Sequence, residues 1–359
     1  MPKLGSAVLV VCLFITLSLL AASCAPKPAA APTYTLKMHS ALLRESVQGG
    51  VLDWYAGEIF KRTNGRVKIE VYHGGQLGGP REGLELASKG VAEIGNPVVN
   101  FLTDKLPLSG MTILPYLTAS SDASMWAFRD LYKSYAPLRE EFEVKQNVRL
   151  IYAWNTHILA AGSKAPFTKM EDIKGKKWRG SGYTLDVIRM LGGSPVPSGI
   201  AENYEMLQKG VVDGNIGFPY DAIYSYKQYE VAPYIIDWSG GLQGFNYGVM
   251  NLDTWKKLPP DIQKVFDKIY EEEFIEHVTD EYNKIGVTAT KAFQAANVKF
   301  YKLPPEEVAR WKQIVLPALW DGAIAKTPAP AASREFLDKY IALTQKYEAK
   351  SKYVHPFPR

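Results

Sequence analysis

From Tyr34 onward the chain alternates short runs of strand periodicity with longer runs of helical periodicity, and this order constrains its fold more than any other feature. TLKMHS, residues 35 to 40, reads as a short first strand. VQGGVLDWYAGEIFKRT, residues 47 to 63, then places Val51, Trp54, Tyr55, Ile59 and Phe60 on one helical face, and Asn64 and Gly65 end that helix. RVKIEVY alternates again, with Val67, Ile69 and Val71 on one side. The turn HGGQLGGP leads into a helix around residues 81 to 89, and VAEIGNP reads as a third strand. Such a β-α-β-α-β order implies a parallel sheet with helices on both faces.

A second unit of the same kind begins near residue 149. RLIYAWN, AAGSKA, KKWRGS and VVDGNIGF read as strands, with helices over residues 184 to 191 and AENYEMLQKG between them. YGVMNL is a further strand. Pro259 and Pro260 then open a long helix in which Ile262, Val265, Phe266, Ile269, Val278, Tyr282 and Ile285 keep helical spacing. A helix of that length is expected to run along both units. Two α/β units joined by crossing segments enclose a cleft, and small ligands collect there at the carboxyl ends of parallel strands.

The first residues are of another kind. Lys3 is followed by the apolar run AVLVVCLFITLSLLAA and a small-residue site, the pattern of an export signal, so residues 1–23 are expected to be a signal peptide. Both cysteines, Cys12 and Cys24, lie in or at the end of this segment, which leaves the exported domain without a disulfide. Cys24, preceded by Ala21, Ala22 and Ser23, resembles a bacterial lipoprotein site. Residues 24–33 would then be a Pro/Ala tether, holding the domain at the outer face of the cytoplasmic membrane or in the periplasm, with the lipid as its sole membrane contact. The net charge of +5 is not gathered into a basic block, so a nucleic-acid partner is not expected.

Catalytic signatures are missing from the sequence: it has no nucleophile elbow, no P-loop and no H-E-x-x-H, and HGGQLGGPREG lacks the dinucleotide spacing. His277 with Asp280 and Glu281 reads as a solvated helix face. No metal and no cofactor are expected. One side chain points elsewhere: in DIKGKKWRGSGY, residues 172 to 183, Arg179 stands between Trp178 and the bare backbone of Gly180 and Gly182. A guanidinium binds a carboxylate through two parallel charge-assisted hydrogen bonds. The glycines would make room for the ligand and the tryptophan a wall.

EDIKGKKWRGSGY followed by LGGSPVPSGIAENYEMLQKGVVDG resembles the central signature of the DctP-like solute-binding proteins of tripartite ATP-independent periplasmic (TRAP) transporters. IEVYHGGQLGGPREGLELASKGVAEIG upstream and NYGVMNLDTWKKLPPDIQKVFDK downstream extend the likeness over nearly the whole exported chain. The resemblance implies an α/β, two-lobe periplasmic-binding-protein-like fold with a long helix spanning both lobes. Lobe I is expected to hold residues 34–154 plus about 244–285, lobe II residues 155–243 plus about 286–325, and residues 326–359 a C-terminal helical segment. It also implies that Arg179, at the family's anchor position, takes the ligand carboxylate. Sialic-acid-binding members carry a second Arg where AWNTHILAAG here offers His157 or Ile158, and an Asn before the Pro where Phe218 stands here, so sialic acid is not the expected ligand.

The remaining candidates come from strand ends facing the cleft. They are His39 and Ser40, Gln76, Asn96, Trp154 and Asn155, His157, then Tyr183, Asn215, Phe218 and Tyr220, and finally Gln243, Phe245 and Asn246. Trp154, Trp178 and Phe218 suggest an apolar ligand body. One anchor cation favours a monocarboxylate, keto acid or aromatic acid over a dicarboxylate. The expected function is capture of that anion without chemistry and delivery to the small and large membrane subunits of a TRAP permease. The alternatives are a ligand sensor for a membrane kinase and an extracytoplasmic hydrolase or lyase using the same cleft.

Overall fold

The computed structural model describes residues 34–358, so the export signal and the whole tether, Cys24 included, fall outside it. Its strands divide between two sheets. β1 (Tyr34–His39), β2 (Val67–Tyr72), β3 (Ile94–Gly95) and β4 (Val148–Asn155) lie in the first; β5 (Leu159–Ser163), β6 (Lys177–Gly180), β7 (Ser194–Pro197), β8 (Gly214–Pro219) and β9 (Tyr234–Asp237) lie in the second. β10 (Phe245–Asn251) returns to the first sheet and β11 (Lys299–Lys302) to the second. The strand orders are β2-β1-β3-β10-β4 and β11-β9-β5-β8-β6-β7.

The sheets are mixed, where the sequence pattern predicts parallel ones. β1 runs parallel to β2 and β3, but β10 is antiparallel to both β3 and β4. The crossovers impose this. β4 leaves the first sheet at the cleft and β10 enters there, so one must end and the other begin at that edge, and Phe245 faces Asn155. In the second sheet β6 is parallel to β7 and β8, while β5 is antiparallel to β8 and β9.

Local chemistry sets the helix ends. Ser46 caps Val47–Arg62 by accepting from the Gly49 N–H, and Asn64 and Gly65, at φ of 53° and 78°, turn the chain into β2. The long helix starts with Pro260 in its first turn and runs through Ile269, a π turn at Tyr270–Phe274, and on to Ala295. At 1.5 Å per residue this is about 50 Å of helix. The π turn adds a residue to the helical stack and buries Phe274 between Tyr152, stacked at 4.8 Å, and Tyr55, edge-on at 5.7 Å. Burying a side chain of this size contributes about 2–3 kcal/mol. The helix packs on Val47–Arg62 and Ser121–Ser134 beside the first sheet and on Tyr220–Ser225 beside the second, so it spans both units.

The C-terminal helix Pro330–Glu348 lies against Ser121–Ser134, with Phe336, Leu337 and Tyr340 buried. The tail beyond it crosses back over the junction. Lys352 N–H donates to Asp122 at 2.6 Å, and Val354 N–H to Asn283 at 2.8 Å.

Candidate ligand-binding site

Between the sheets lies a cavity of about 250 Å³. The first unit contributes Gly74, Gly75, Gly79 and Pro80 from the glycine-rich turn, Asn100 and Phe101, and Gln48 from the first turn of its helix. The second contributes Arg179, Ser181, the loop Gly199–Glu202, Gly217 and Pro219; the crossovers add Thr156, Leu159, Gln243, Gly244 and Asn246.

Arg179 sits in β6, which lies between β7 and β8, and pairs with Val196 and Asn215 across those ladders. It is 1% exposed. Its Nη2 donates to the Ser198 carbonyl at 2.5 Å, its Nε reaches Ser198 Oγ at 3.4 Å, and its Cζ lies 5.0 Å from the centre of the Phe218 ring. Phe218 reaches that place through a bulge. Ala160 pairs with Phe218 and Ala161 with Ile216, so Gly217 is the extra residue, at φ +75°. Burial pulls the Arg179 pKa down to about 10, against the raising effect of the Glu202 charge, so the group stays cationic at neutral pH. It forms no ion pair with a carboxylate among the described residues. Glu202 itself accepts the Gly199 N–H at 2.9 Å and holds the loop closed.

The neighbours expected to frame Arg179 do other work. A Cβ on Gly180 would meet Ile188 Cδ1 at 2.9 Å and Thr184 Oγ1 at 3.0 Å, so this glycine seats the helix Thr184–Met190 and not a ligand. Gly182 has φ +53°, and a Cβ there would lie 3.2 Å from Asn100 Nδ2 of the first unit. Trp178 points away from the cavity: its indole N–H donates to the Ile173 carbonyl at 3.0 Å and its ring meets Phe167 edge-on. Ser181, between the glycines, is the residue that lines the cleft.

Of the other residues singled out in the sequence, Gln243 and Asn246 line the cavity as Arg179 does. The rest lie off its lining. His39 is buried, its Nε2 donating to the Gly78 carbonyl at 3.0 Å, which pins the glycine-rich turn to the end of β1. Gln76 is exposed on that turn. Asn96 donates to the Tyr247 carbonyl at 3.3 Å. Trp154 stacks on Tyr152, and Phe245 packs 5.1 Å from Phe128, both in the core of the first unit. Asn155 donates to the Ser121 carbonyl at 2.9 Å, tying β4 to the helix that starts there. Asn215 accepts from Gly162 N–H at 2.9 Å and donates to Gln228. Tyr183 is half-buried, its hydroxyl pushed up to about 12 by burial, at the start of its helix.

His157 has a complete structural role. Its Nε2 lies 3.2 Å from the Tyr282 carbonyl, which can only accept, so the proton is on Nε2 and Nδ1 accepts from Tyr353 Oη at 3.0 Å. The Tyr353 hydroxyl in turn accepts the Ile158 N–H. Burial drops the His157 pKa to about 3, so the ring is neutral. It fastens crossover, long helix and C-terminal tail together. His277 stacks on Trp54 with ring centres 3.8 Å apart, and among the described residues no cluster of His, Cys, Asp and Glu could hold a metal ion.

Several lining residues escaped the sequence reading: Gln48, Asn100, Phe101, Thr156, Leu159 and Tyr226. Gln48 also crosses the cleft, its Nε2 donating at 2.7 Å to Asp221, whose carboxyl burial pushes up to about 6.

The family of bacterial extracellular solute-binding proteins, family 7 (DctP), matches residues 39–326. The chain belongs to this family. As a DctP-family protein it is a binding protein and not an enzyme, which removes the hydrolase or lyase alternative. The helix Pro330–Glu348 and the tail that reaches His157 lie beyond the matched span. The chain is 26% identical to the C4-dicarboxylate-binding periplasmic protein DctP of Rhodobacter capsulatus over 298 residues, covering 81% of this chain and 86% of that one. It is 25% identical over 290 residues to the sialic acid-binding periplasmic protein SiaP of Vibrio cholerae, covering 80% and 86%. In fold it is similar to a marine metagenome TRAP solute-binding protein in complex with metahydroxyphenylacetate, at TM-score 0.79 and 21% identity over 88% of this chain and 99% of that one. Among the described residues no helix is long and apolar enough to cross a membrane.

Proposed function

We propose that the protein captures one small organic-acid anion in this cleft, pairs its carboxylate with Arg179, and presents the closed complex to the small and large membrane subunits of a TRAP permease. One observation carries the reading: a guanidinium 1% exposed borders the cavity with no carboxylate partner among the described residues. A buried charge without a counter-charge is costly, and a ligand carboxylate supplies the missing one. Arg179 is the only cation among the described lining residues, which favours a monocarboxylate, keto acid or aromatic acid over a dicarboxylate.

Size supports the same class. An apolar cavity of about 150 Å³ takes benzene, so about 250 Å³ has room for a ring, a carboxylate and one further substituent. Phe101, Leu159 and Ile200 supply apolar contact for that body, in place of the tryptophans. Proteins of the same fold hold benzoate, metahydroxyphenylacetate and orotic acid, all within this range. Closure would bring lobe I, residues 34–154 plus about 244–285, onto lobe II, residues 155–243 plus about 286–325, about the crossovers and the long helix. Export by residues 1–23 and a lipid on Cys24 would keep the domain outside the cytoplasm beside its permease, driven by an ion gradient.

Calorimetry and thermal-shift measurements against a panel of organic acids test the reading. At 100 times its Kd a ligand stabilises the fold by about 2.7 kcal/mol, and the acid should be recovered unchanged. A panel of monocarboxylates, keto acids and aromatic acids that leaves the melting temperature unmoved would sink it.

A further inference from the structure

We propose, on the capture reading above, that the C-terminal tail Ser351–Phe357 is a strap. It is anchored on both units across their junction and holds them in the arrangement that encloses the cavity.

The first anchor is on the first unit. Ser351 Oγ and Lys352 N–H both donate to the carboxylate of Asp122, at 2.6 Å each, in the opening turn of the helix Ser121–Ser134. The tail then crosses the long helix, where Asn283 holds it twice. Asn283 Nδ2 donates to the Lys352 carbonyl at 2.9 Å, and its Oδ1 accepts the Val354 N–H at 2.8 Å. Between those two residues Tyr353 reaches inward to His157 and takes the Ile158 N–H. Both belong to the crossover whose next residues on either side, Thr156 and Leu159, line the cavity. The last anchor is on the second unit. The Pro356 carbonyl accepts from Thr290 Oγ1 at 3.0 Å near the end of the long helix. The Phe357 ring then lies 5.0 Å from Tyr220 and 6.4 Å from Phe300, beside and within the second sheet.

All of these contacts are made in an arrangement where the units also touch across the cleft, Gln48 reaching Asp221 at 2.7 Å. Opening a cleft rotates one unit against the other about the crossovers, so anchors on opposite units cannot all keep their partners. Contacts present in one arrangement and lost in the other shift the population toward the first. The strap therefore favours the closed cleft and slows release of what it holds.

A strap works only while both ends are fastened, and this separates it from ordinary packing. Asp122→Ala frees the end on the first unit and Phe357→Ala the end on the second. Both leave Tyr353 in place, and neither residue lines the cavity. Calorimetry on the exported chain uses whichever of benzoate, metahydroxyphenylacetate and orotic acid binds most tightly. Each single variant is expected to bind it fivefold or more weakly than the parent, and the double variant no more than twice as weakly as the weaker single. Asp122→Asn and Phe357→Leu take their places if an alanine variant melts more than about 5 °C below the parent. Losses that multiply in the double variant would overturn the strap, because distant sites with no shared element contribute independently. Single variants that bind within twofold of the parent would overturn it as well, and both results leave the capture function standing. A parent that binds no acid at all would bring down the capture function and this inference together.

Discussion

Replacing Arg179 with Met should separate ligand binding from folding, because the structure sets opposite terms on the two. Burial lowers the guanidinium pKa from 12.5 to about 10, with no ion pair to hold it up. At 1.36 kcal/mol per unit this corresponds to a net cost of roughly 3 kcal/mol, burial outweighing the Glu202 charge. In the ligand-free protein the contacts to Ser198 offset that cost, hydrogen bonds to a charged group contributing about 1.5–3 kcal/mol. Methionine removes both terms and fills a similar volume over Phe218. The ligand-free variant should therefore melt within about 3 °C of the parent, 1 kcal/mol being worth about 2–4 °C in a domain of this size class. Binding loses its counter-charge instead. If the carboxylate recovers most of the roughly 3 kcal/mol, affinity should fall about 100-fold. Arg179→Lys, which keeps the charge without the planar fork, should fall in between. Calorimetry with the tightest acid found, beside differential scanning of both ligand-free proteins, reads the two effects. A Met variant that binds within threefold of the parent refutes the anchor. One that melts more than about 10 °C lower shows that Arg179 is scaffold.

Three further outcomes follow from single contacts. Asp221 is an acid whose folded pKa, about 6, lies above its unfolded value near 3.9, so its cost is absent below about pH 4 and grows as pH rises to about 6. Asp221→Asn, which can still accept from Gln48, should raise the melting temperature at pH 7 and hardly at pH 4; equal shifts at both would contradict the assignment. Gly217→Ala combines a φ of +75° with a Cβ only 2.3 Å from Thr184 Cγ2, and urea unfolding should show a loss of roughly 2–4 kcal/mol. A loss under about 0.5 kcal/mol would mean that the bulge is not rigid. Tyr353→Phe leaves the buried His157 Nδ1 and the Ile158 N–H without their shared hydroxyl and should cost about 1–3 kcal/mol, although both lie far along the chain from the tail. An unchanged unfolding midpoint would show that the tail is not fastened there.

The strands and helices around the cleft were legible because each obeys a local rule: Val67 and Ile69 alternate inward in β2, and Ile262, Phe266 and Ile269 repeat along the long helix. The antiparallel crossovers were not legible, since direction depends on where β4 leaves the first sheet and β10 enters it. The site was half legible for a related reason. Strand ends such as Asn155 and Phe218 are the candidates that periodicity offers, but residues paired in the ladder there still pack within their layer. After β4 and β6 the lining comes from the next residue out, Thr156 and Ser181, where the chain has left the ladder and can face the gap; in β8 it comes from Gly217 and Pro219, on either side of Phe218. Gln48 and Asn100 carry no signal at all, because what brings them to the cleft is contact between units, not spacing.

The sequence alone determined the family, the two α/β units, the long helix and the identity of the cationic residue, since motif order, periodicity and charge are written in one dimension. Only the tertiary structure decided that Arg179 pairs with no carboxylate among the described residues, that its flanking glycines seat a helix and a neighbouring unit, and that Gln48 and Asn100 come to the same cavity. Those are properties of burial and orientation. They exist only once segments more than a hundred residues apart have closed around the same small volume.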